Sequence, residues 1–183
     1  RRLASIGQPH NVCDIRIVDE AEVDCPVGTP GEILVRSPLV MSYYWNKSAA
    51  TIATMRDGWV RTGDMAFADS DNFLYLVDRK TDMIISGGEN IYSQEVEQAL
   101  MLHAAVADCA VIGVADERWG EAVMAVLVLA GGASANETEL LAHCATQIAK
   151  YKCPKKFTFV AELPRLPSGK VNKVVLRQQY AAA

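Results

Sequence analysis

Three short motifs of this chain contain residues that could carry chemistry. Lys170 ends the run LPSGK, where proline and glycine predict a turn rather than a helix. A lysine on a turn is a mobile cation whose natural partners are phosphate and carboxylate oxygens. Asp64 follows Thr62-Gly63 in WVRTGD, and Gly87-Gly88 lies in DRKTDMIISGGEN. Together the motifs indicate an enzyme segment that closes over a nucleotide.

Positive charge is concentrated near the C-terminus. Residues 147–177 contain eight Lys or Arg residues against Glu162, whereas the whole chain has a net charge of -4. This asymmetry predicts an anion-binding surface, with a solvated basic face as the alternative. The stretch has few aromatic residues and no nucleic-acid-binding motif, so nucleic acid is not an expected partner.

Composition predicts a folded protein, since 50% of the 183 residues are hydrophobic. The five cysteines contain no CxxC pair, which favours reduced thiols in a cytoplasmic protein over disulfides or a metal site. The opening RRLASIGQPH has no apolar run, so no signal peptide is expected. The longest uncharged apolar stretch, 122–135, is shorter than the roughly 20 residues of a membrane span.

Two parts must position these motifs, and the predicted fold class is α+β. Residues 1–80 alternate strand and turn signals, which predicts short antiparallel strands of a barrel or sandwich that end a larger domain. Residues 81–183 predict a small α+β domain.

Within the small domain, Ser93 and Asn136 are the predicted N-caps of two helices. Strands are expected at 107–114, 122–129 and 157–160, the second of them buried on both faces, and a last helix at 173–180.

Familiar phosphate loops are absent, because the chain contains neither GxxxxGK[ST] nor GxGxxG. It instead resembles the C-terminal third of the adenylate-forming acyl-CoA synthetases, the ANL superfamily. Four segments carry the resemblance in order: GEILVRSPLVMSYYWN, WVRTGD, DRKTDMIISGGENIYSQEVE and LPSGKVNK.

The resemblance implies a two-step reaction. A carboxylate attacks ATP to give an acyl-adenylate, and the thiol of CoA then displaces AMP. The small domain rotates between the steps about a hinge near 79–82, and Mg²⁺ accompanies ATP with its ligands upstream of Arg1. The upstream part of the same enzyme would supply the ATP phosphate loop and the acid pocket, so this segment alone is expected to be inactive.

Nucleotide and hinge roles follow from the same resemblance. Asp64 would accept hydrogen bonds from the ribose hydroxyls, with an ordinary turn aspartate as the alternative. Arg79 would also reach the ribose, with a surface ion pair to Asp78 or Asp82 as the alternative. Thr81 falls on the hinge position, where the family usually has aspartate or lysine.

CoA roles fall on a second group of residues. The resemblance places Gly87 and Gly88 beside the pantetheine channel, and a tight hairpin turn is equally consistent with them. Trp119 resembles a tryptophan near the CoA site, with a core or rim aromatic as the alternative. Lys152 and Lys155 are candidate partners of the CoA phosphates.

Lys170 resembles the family's catalytic lysine, which would neutralise charge as the carboxylate attacks the α-phosphate. The alternative is a surface loop lysine. The favoured function is a fatty-acid or other acyl-CoA ligase. The two alternatives are an adenylation domain that serves a carrier protein and a non-catalytic module that binds CoA or nucleotide. A homo-oligomer is left open.

Overall fold

The structure is a computed structural model that describes residues 3–180. Within them the chain has the α+β architecture that the sequence predicted, with two five-stranded sheets. It divides into two compact units between Thr81 and Asp82. Each unit contains one of the sheets.

The first unit is built on an antiparallel sheet in which β4 is central. Its strand order is β1-β2-β4-β3, and β5 pairs with β4. The elements are β1 (Asp14–Val18), β2 (Gly31–Arg36), α1 (Ser48–Thr54), β3 (Met55–Arg56), β4 (Trp59–Ala68) and β5 (Leu74–Arg79), followed by a 3-10 turn (Lys80–Asp82).

Gly31 begins β2 at a point of close approach. A Cβ atom there would lie 2.5 Å from the Val18 carbonyl oxygen and 2.6 Å from the Cys25 sulfur. A larger residue would therefore push β1 and β2 apart, which explains glycine at a strand position where it otherwise weakens pairing. The short helix α1 was not predicted from the sequence, because its seven residues contain no buried side chain and so no apolar stripe.

The second unit surrounds the long strand β9, which pairs in parallel with β10 and antiparallel with β8 and β6. The β6-β7 hairpin extends the sheet. The elements are β6 (Ile84–Ser86), β7 (Glu89–Ile91), α2 (Ser93–Met101), β8 (Val106–Asp116), β9 (Gly120–Leu129), α3 (Glu137–Gln147), a 3-10 turn (Lys150–Lys152), β10 (Lys156–Phe159) and α4 (Lys173–Tyr180).

The β8-β9 pair is covered on both faces. One face packs Val111 and Val123 with α2 and α3, and the other packs Ile112 and Met124 with Leu176 of α4. Strands that are buried on both sides need apolar residues at consecutive positions, so the apolar run of β9 predicted this location correctly.

Of the two N-caps predicted from the sequence, the structure confirms one. Asn136 is the N-cap of α3, and its side chain accepts a hydrogen bond from the Glu139 backbone N–H at 2.9 Å. Ser93 is the first residue of α2 rather than its N-cap, which is Tyr92. No helix within residues 3–180 combines the length and the apolar character needed to cross a membrane.

Candidate functional site

Asp64 and Arg79 face each other across the β4-β5 pair in the first unit. They are register partners, and Arg79 Nε lies 3.5 Å from Asp64 Oδ1. The carboxylate side chain is 34% exposed and the guanidinium 63% exposed. Arg79 therefore pairs with a residue that the sequence did not suggest, and its backbone N–H donates to Asp78 Oδ1. The pair presents acceptor oxygens beside guanidinium donors, a combination that suits a vicinal diol.

Thr62-Gly63 sets the position of the Asp64 carboxylate. The Thr62 hydroxyl donates to the Ile33 carbonyl oxygen at 2.9 Å and accepts from the Asp64 backbone N–H at 3.1 Å. Gly63 has φ +72, a left-handed conformation that favours glycine. The sequence TGD therefore ties the carboxylate to β2 and turns the backbone just before it.

Thr81 is exposed and lies between two ion-paired neighbours. Lys80 Nζ contacts Glu32 Oε2 at 2.9 Å within the first unit. Asp82 Oδ1 accepts from Arg177 Nη2 at 2.6 Å within the second unit. The hinge role of Thr81 stays a prediction.

Glu32 is a functional candidate that sequence analysis missed. Its side chain is only 6% exposed, and its carboxylate lies between Lys80 and Arg61 Nη1, which is 3.6 Å away. A buried carboxylate is retained only when it is paired, so Glu32 depends on both cations. The signal was available in GEILVR, where an acidic residue occupies a buried position of an apolar strand.

Gly87 and Gly88 form the two-residue turn of the β6-β7 hairpin, with φ +64 and +84. The Gly87 N–H donates to the Trp119 carbonyl oxygen at 2.8 Å, and the Trp119 ring fills the space beside the Gly87 Cα. The hairpin expected as an alternative is therefore present. Absence of a side chain at Gly87 is what allows the indole to lie against the turn.

Lys155 lies on the same indole ring. Its Nζ is 4.0 Å from the Trp119 ring centroid and donates to the Ser86 hydroxyl at 2.9 Å. Burial lowers the pKa of Lys155 below its usual value, Asp116 opposes the shift, and Arg118 adds to it. The structure thus brings Gly87, Trp119 and Lys155 together as a cationic, aromatic-lined turn.

Lys152 does not join Gly87, Trp119 and Lys155, because it is ion-paired with Glu95. Both oxygens of Glu95 accept from Lys152 Nζ at 2.7 Å, and the lysine side chain is 19% exposed. Contact with a CoA phosphate would therefore require the Glu95 pair to open.

At least four of the basic residues in 147–177 are paired with acids from earlier in the chain. The pairs are Lys152 with Glu95, Arg165 with Asp108, Lys173 with Glu97, and Arg177 with Asp82. The predicted anion-binding surface is thus smaller than the sequence charge suggests. Lys170 is not part of these pairs.

Lys170 lies on an exposed turn between β10 and α4. The turn is closed by backbone bonds from Leu166 N–H to the Lys170 carbonyl and from Gly169 N–H to the Leu166 carbonyl, each 2.8 Å long. Gly169 has φ +84, as the predicted turn requires. Among residues 3–180, no hydrogen-bond or ion-pair partner lies within reach of the Lys170 ammonium.

The buried thiols of Cys109 and Cys144 are unsuited to catalysis. Burial, followed by Glu97, raises the pKa of Cys109 to about 12, and burial raises that of Cys144 to about 11. Thiols of this kind are poor nucleophiles and metal ligands. Within 3–180, no cluster of three or more His, Cys, Asp or Glu residues could hold a metal ion.

Comparison with known proteins identifies relatives over nearly the whole chain. The family model described as AMP-binding enzyme C-terminal domain matches residues 95–170, and the AMP-binding enzyme model matches residues 1–45. The 2-succinylbenzoate–CoA ligase of Bacillus cereus (strain Q1) is 43% identical over 177 residues, which are 97% of this chain and 36% of the relative. The indoleacetate–CoA ligase of Aromatoleum aromaticum is 45% identical over 181 residues, 99% of this chain and 36% of that enzyme.

A solved structure agrees with the sequence comparison. The o-succinylbenzoate CoA synthetase of Bacillus subtilis, in complex with the acyl-adenylate intermediate OSB-AMP, superposes with a TM-score of 0.88 at 42% identity. The match covers 99% of this chain and 36% of the synthetase. The chain thus spans about a third of the length of these relatives.

Proposed function

Because the chain belongs to the AMP-binding enzyme family and corresponds to the C-terminal portion of its members, we propose that it serves an ATP-dependent acyl-CoA ligase. The complete enzyme joins a carboxylic acid to AMP with release of pyrophosphate, and then transfers the acyl group to the thiol of CoA. The two units of this chain supply different groups to this reaction.

The observation that carries the proposal is the Lys170 ammonium, which extends from an exposed turn without a partner among residues 3–180. Neighbouring basic residues such as Lys152 and Lys173 are held by carboxylates. A cation kept free of partners is available to an incoming anion. In the first step, it would neutralise charge on the α-phosphate and the attacking carboxylate as the transition state forms.

Asp64 and Arg79 would bind the ribose of ATP and of the acyl-adenylate. Their side chains face each other and remain partly exposed, so a diol can replace the long 3.5 Å contact between them without breaking a short hydrogen bond. Thr81 would provide the pivot by which the second unit changes its catalytic face.

Gly87, Trp119 and Lys155 would form the surface that meets CoA in the second step. Glycines at the turn let a slender pantetheine chain approach the backbone. The Lys155 ammonium on the indole ring offers a cation for a phosphate. Lys152 would join this surface only after release from Glu95.

The acid is the variable part of the proposal. A fatty acid was expected from the sequence, whereas the relatives described above are named for 2-succinylbenzoate and indoleacetate, which are aromatic carboxylates. We therefore place an aromatic acid ahead of a fatty acid. Mg²⁺ would enter with ATP, and the described residues contain no cluster of His, Cys, Asp or Glu that could hold it.

The test is pyrophosphate release by the complete protein that contains this chain. A panel of aromatic and fatty acids is assayed with and without CoA, and thioester formation is assayed separately from supplied acyl-adenylate. Lys170→Ala should lower adenylation by about a hundredfold or more, because one preorganised charge contact is lost. It should leave thioester formation from acyl-adenylate intact.

The matched control is Lys47→Ala, which removes another exposed lysine and should leave both half-reactions unchanged. Equal loss of both half-reactions in Lys170→Ala would contradict the assigned role. Pyrophosphate release with an acid of the panel, but no thioester formation when CoA is added, would favour a carrier-protein acceptor. Absence of pyrophosphate release with any acid would favour a non-catalytic module.

A further inference from the structure

Arg165 connects the turn that carries Lys170 to the central strands of the second unit. Its Nη1 donates to the Gly169 carbonyl oxygen at 2.7 Å, and its Nη2 donates to Asp108 Oδ2. Asp108 lies in β8, 57 residues earlier in the chain, at an irregularity in the β8-β9 pairing. One guanidinium thus bridges the peptide just before Lys170 and a carboxylate fixed on the sheet.

The other bonds of the turn determine its shape but not its direction. The Leu166–Lys170 and Gly169–Leu166 backbone bonds are internal to the turn, whose residues 166–170 are all exposed. Below the turn, an isolated bridge pairs Arg165 with Val171. A closed, exposed turn on such a base can still tilt as a unit, and the contact of Arg165 with Asp108 opposes that tilt.

The base of the turn is fixed on both sides. Leu163, before it, and Leu176, after it in α4, are 5% and 1% exposed and belong to one core cluster on the β8-β9 face. Burial of Leu163 and Leu176 thus anchors the chain on both sides of the turn. The orientation of its tip, where Lys170 lies, is left to Arg165.

We infer that Arg165 is a positioning residue that orients Lys170 for adenylation by holding the Gly169 carbonyl against Asp108. The inference rests on the proposed role of Lys170. The Arg165 and Asp108 side chains are 48% and 32% exposed, so their ion pair contributes little to folding. The ion pair matters more for the position of Lys170 than for folding, because a misplacement of about 1 Å can lower the rate about a hundredfold.

Arginine is required at this position by geometry. The planar guanidinium donates to two acceptors at once, whereas a lysine ammonium is a point charge on a flexible stem. Arg165→Lys should therefore lose nearly as much activity as Arg165→Ala, although it keeps the charge. This expectation separates bridging from simple electrostatics.

The experiment measures both half-reactions in the complete protein for Arg165→Ala, Arg165→Lys, Asp108→Ala and Lys170→Ala. Arg165→Ala should lower kcat of pyrophosphate release by about tenfold to a hundredfold, with the KM for ATP unchanged, because orientation rather than binding is lost. Thioester formation from supplied acyl-adenylate should remain at the wild-type rate. Asp108→Ala combined with Arg165→Ala should be no worse than Arg165→Ala alone, since both remove one interaction.

The matched control is Arg36→Ala, which removes an exposed arginine–aspartate pair with Asp14 in the first unit. It should leave both half-reactions unchanged. If Arg165→Ala does not fold, as judged by circular dichroism, Arg165→Lys provides the same comparison.

Three outcomes overturn the inference in different ways. Normal adenylation by Arg165→Ala, with loss in Lys170→Ala, rejects the positioning role and leaves the proposed function in place. Equal loss of both half-reactions in Arg165→Ala assigns Arg165 to stability instead. Normal adenylation by Lys170→Ala rejects the proposed function together with the inference.

Discussion

Replacement of Gly87 by alanine tests the contact between the glycine turn and the indole ring. A Cβ atom at Gly87 would lie 2.8 Å from Trp119 Cε3 and 3.2 Å from Cζ3, so the ring must move. Gly88 is the matched control, because its φ is also positive and a Cβ atom there would have no neighbour within 4 Å. The two substitutions therefore differ mainly in the clash with Trp119.

The expected loss of stability is the sum of a backbone cost and a packing cost. A left-handed conformation costs alanine about 1–2 kcal/mol, and both variants bear this cost. Overpacking adds about 1–3 kcal/mol at Gly87 alone. The lower part of the overpacking range applies, because the Trp119 side chain is partly exposed and can rotate away from Gly87. This rotation would break its contact with Lys155. We expect Gly87→Ala to lower the free energy of unfolding by about 1–2 kcal/mol more than Gly88→Ala.

The assay is urea denaturation of the second unit, monitored through the fluorescence of Trp119. Trp45 and Trp59 are replaced by phenylalanine in every variant so that Trp119 is the only fluorescent tryptophan. Both replaced tryptophans belong to the first unit. When Trp119→Ala is combined with Gly87→Ala, the extra loss in free energy of unfolding should disappear. This double variant is monitored by circular dichroism, because it lacks the fluorescent indole. Equal destabilisation by Gly87→Ala and Gly88→Ala would refute the argument, because it would mean that the ring does not constrain residue 87.

Two further predictions concern the core of the second unit. Leu140→Ala, at a fully buried position of α3, should lower the free energy of unfolding by about 2–5 kcal/mol. Leu141→Ala, at a 42% exposed position, should change the free energy of unfolding by no more than about 0.5 kcal/mol. Urea denaturation compares the two variants, and equal losses would contradict the orientation of α3. The raised pKa values of Cys109 and Cys144 predict that stability falls as the pH rises from 9.0 towards 11 and 12, because the unfolded thiols lose protons that the folded thiols retain. Denaturation across this range should show a shallower decline in Cys144→Ala, and an unchanged slope would argue against the buried thiol as its source.

Local patterns predicted the second unit well. The apolar run of β9 and the Asn136 cap of α3 were visible because burial on two faces and capping leave direct marks in the sequence. Ser93 was assigned wrongly by one position. Its hydroxyl instead accepts from Lys173 Nζ at 2.7 Å, a contact 80 residues away that no local pattern contains.

The candidate residues were predicted from their motifs, but their partners were not. Arg79 was expected to reach a ribose, with an ion pair to Asp78 or Asp82 as the alternative, whereas the strand register places Asp64 opposite it. The charge of 147–177 predicted an anion-binding surface or a solvated basic face, although at least four of its cations are paired with acids. Long-range pairing depends on topology, so the cations that pair with Glu32 and the bridge made by Arg165 became visible only with the fold.

The ion pairs on either side of Thr81 bear on the proposed hinge. Glu32 holds Lys80 in the first unit, and Arg177 holds Asp82 in the second unit. If Thr81 is the pivot, as proposed, the torsional change of the hinge would be confined to the backbone of this one residue. The accuracy of the hinge would then depend on a carboxylate and a guanidinium distant in sequence rather than on the threonine side chain.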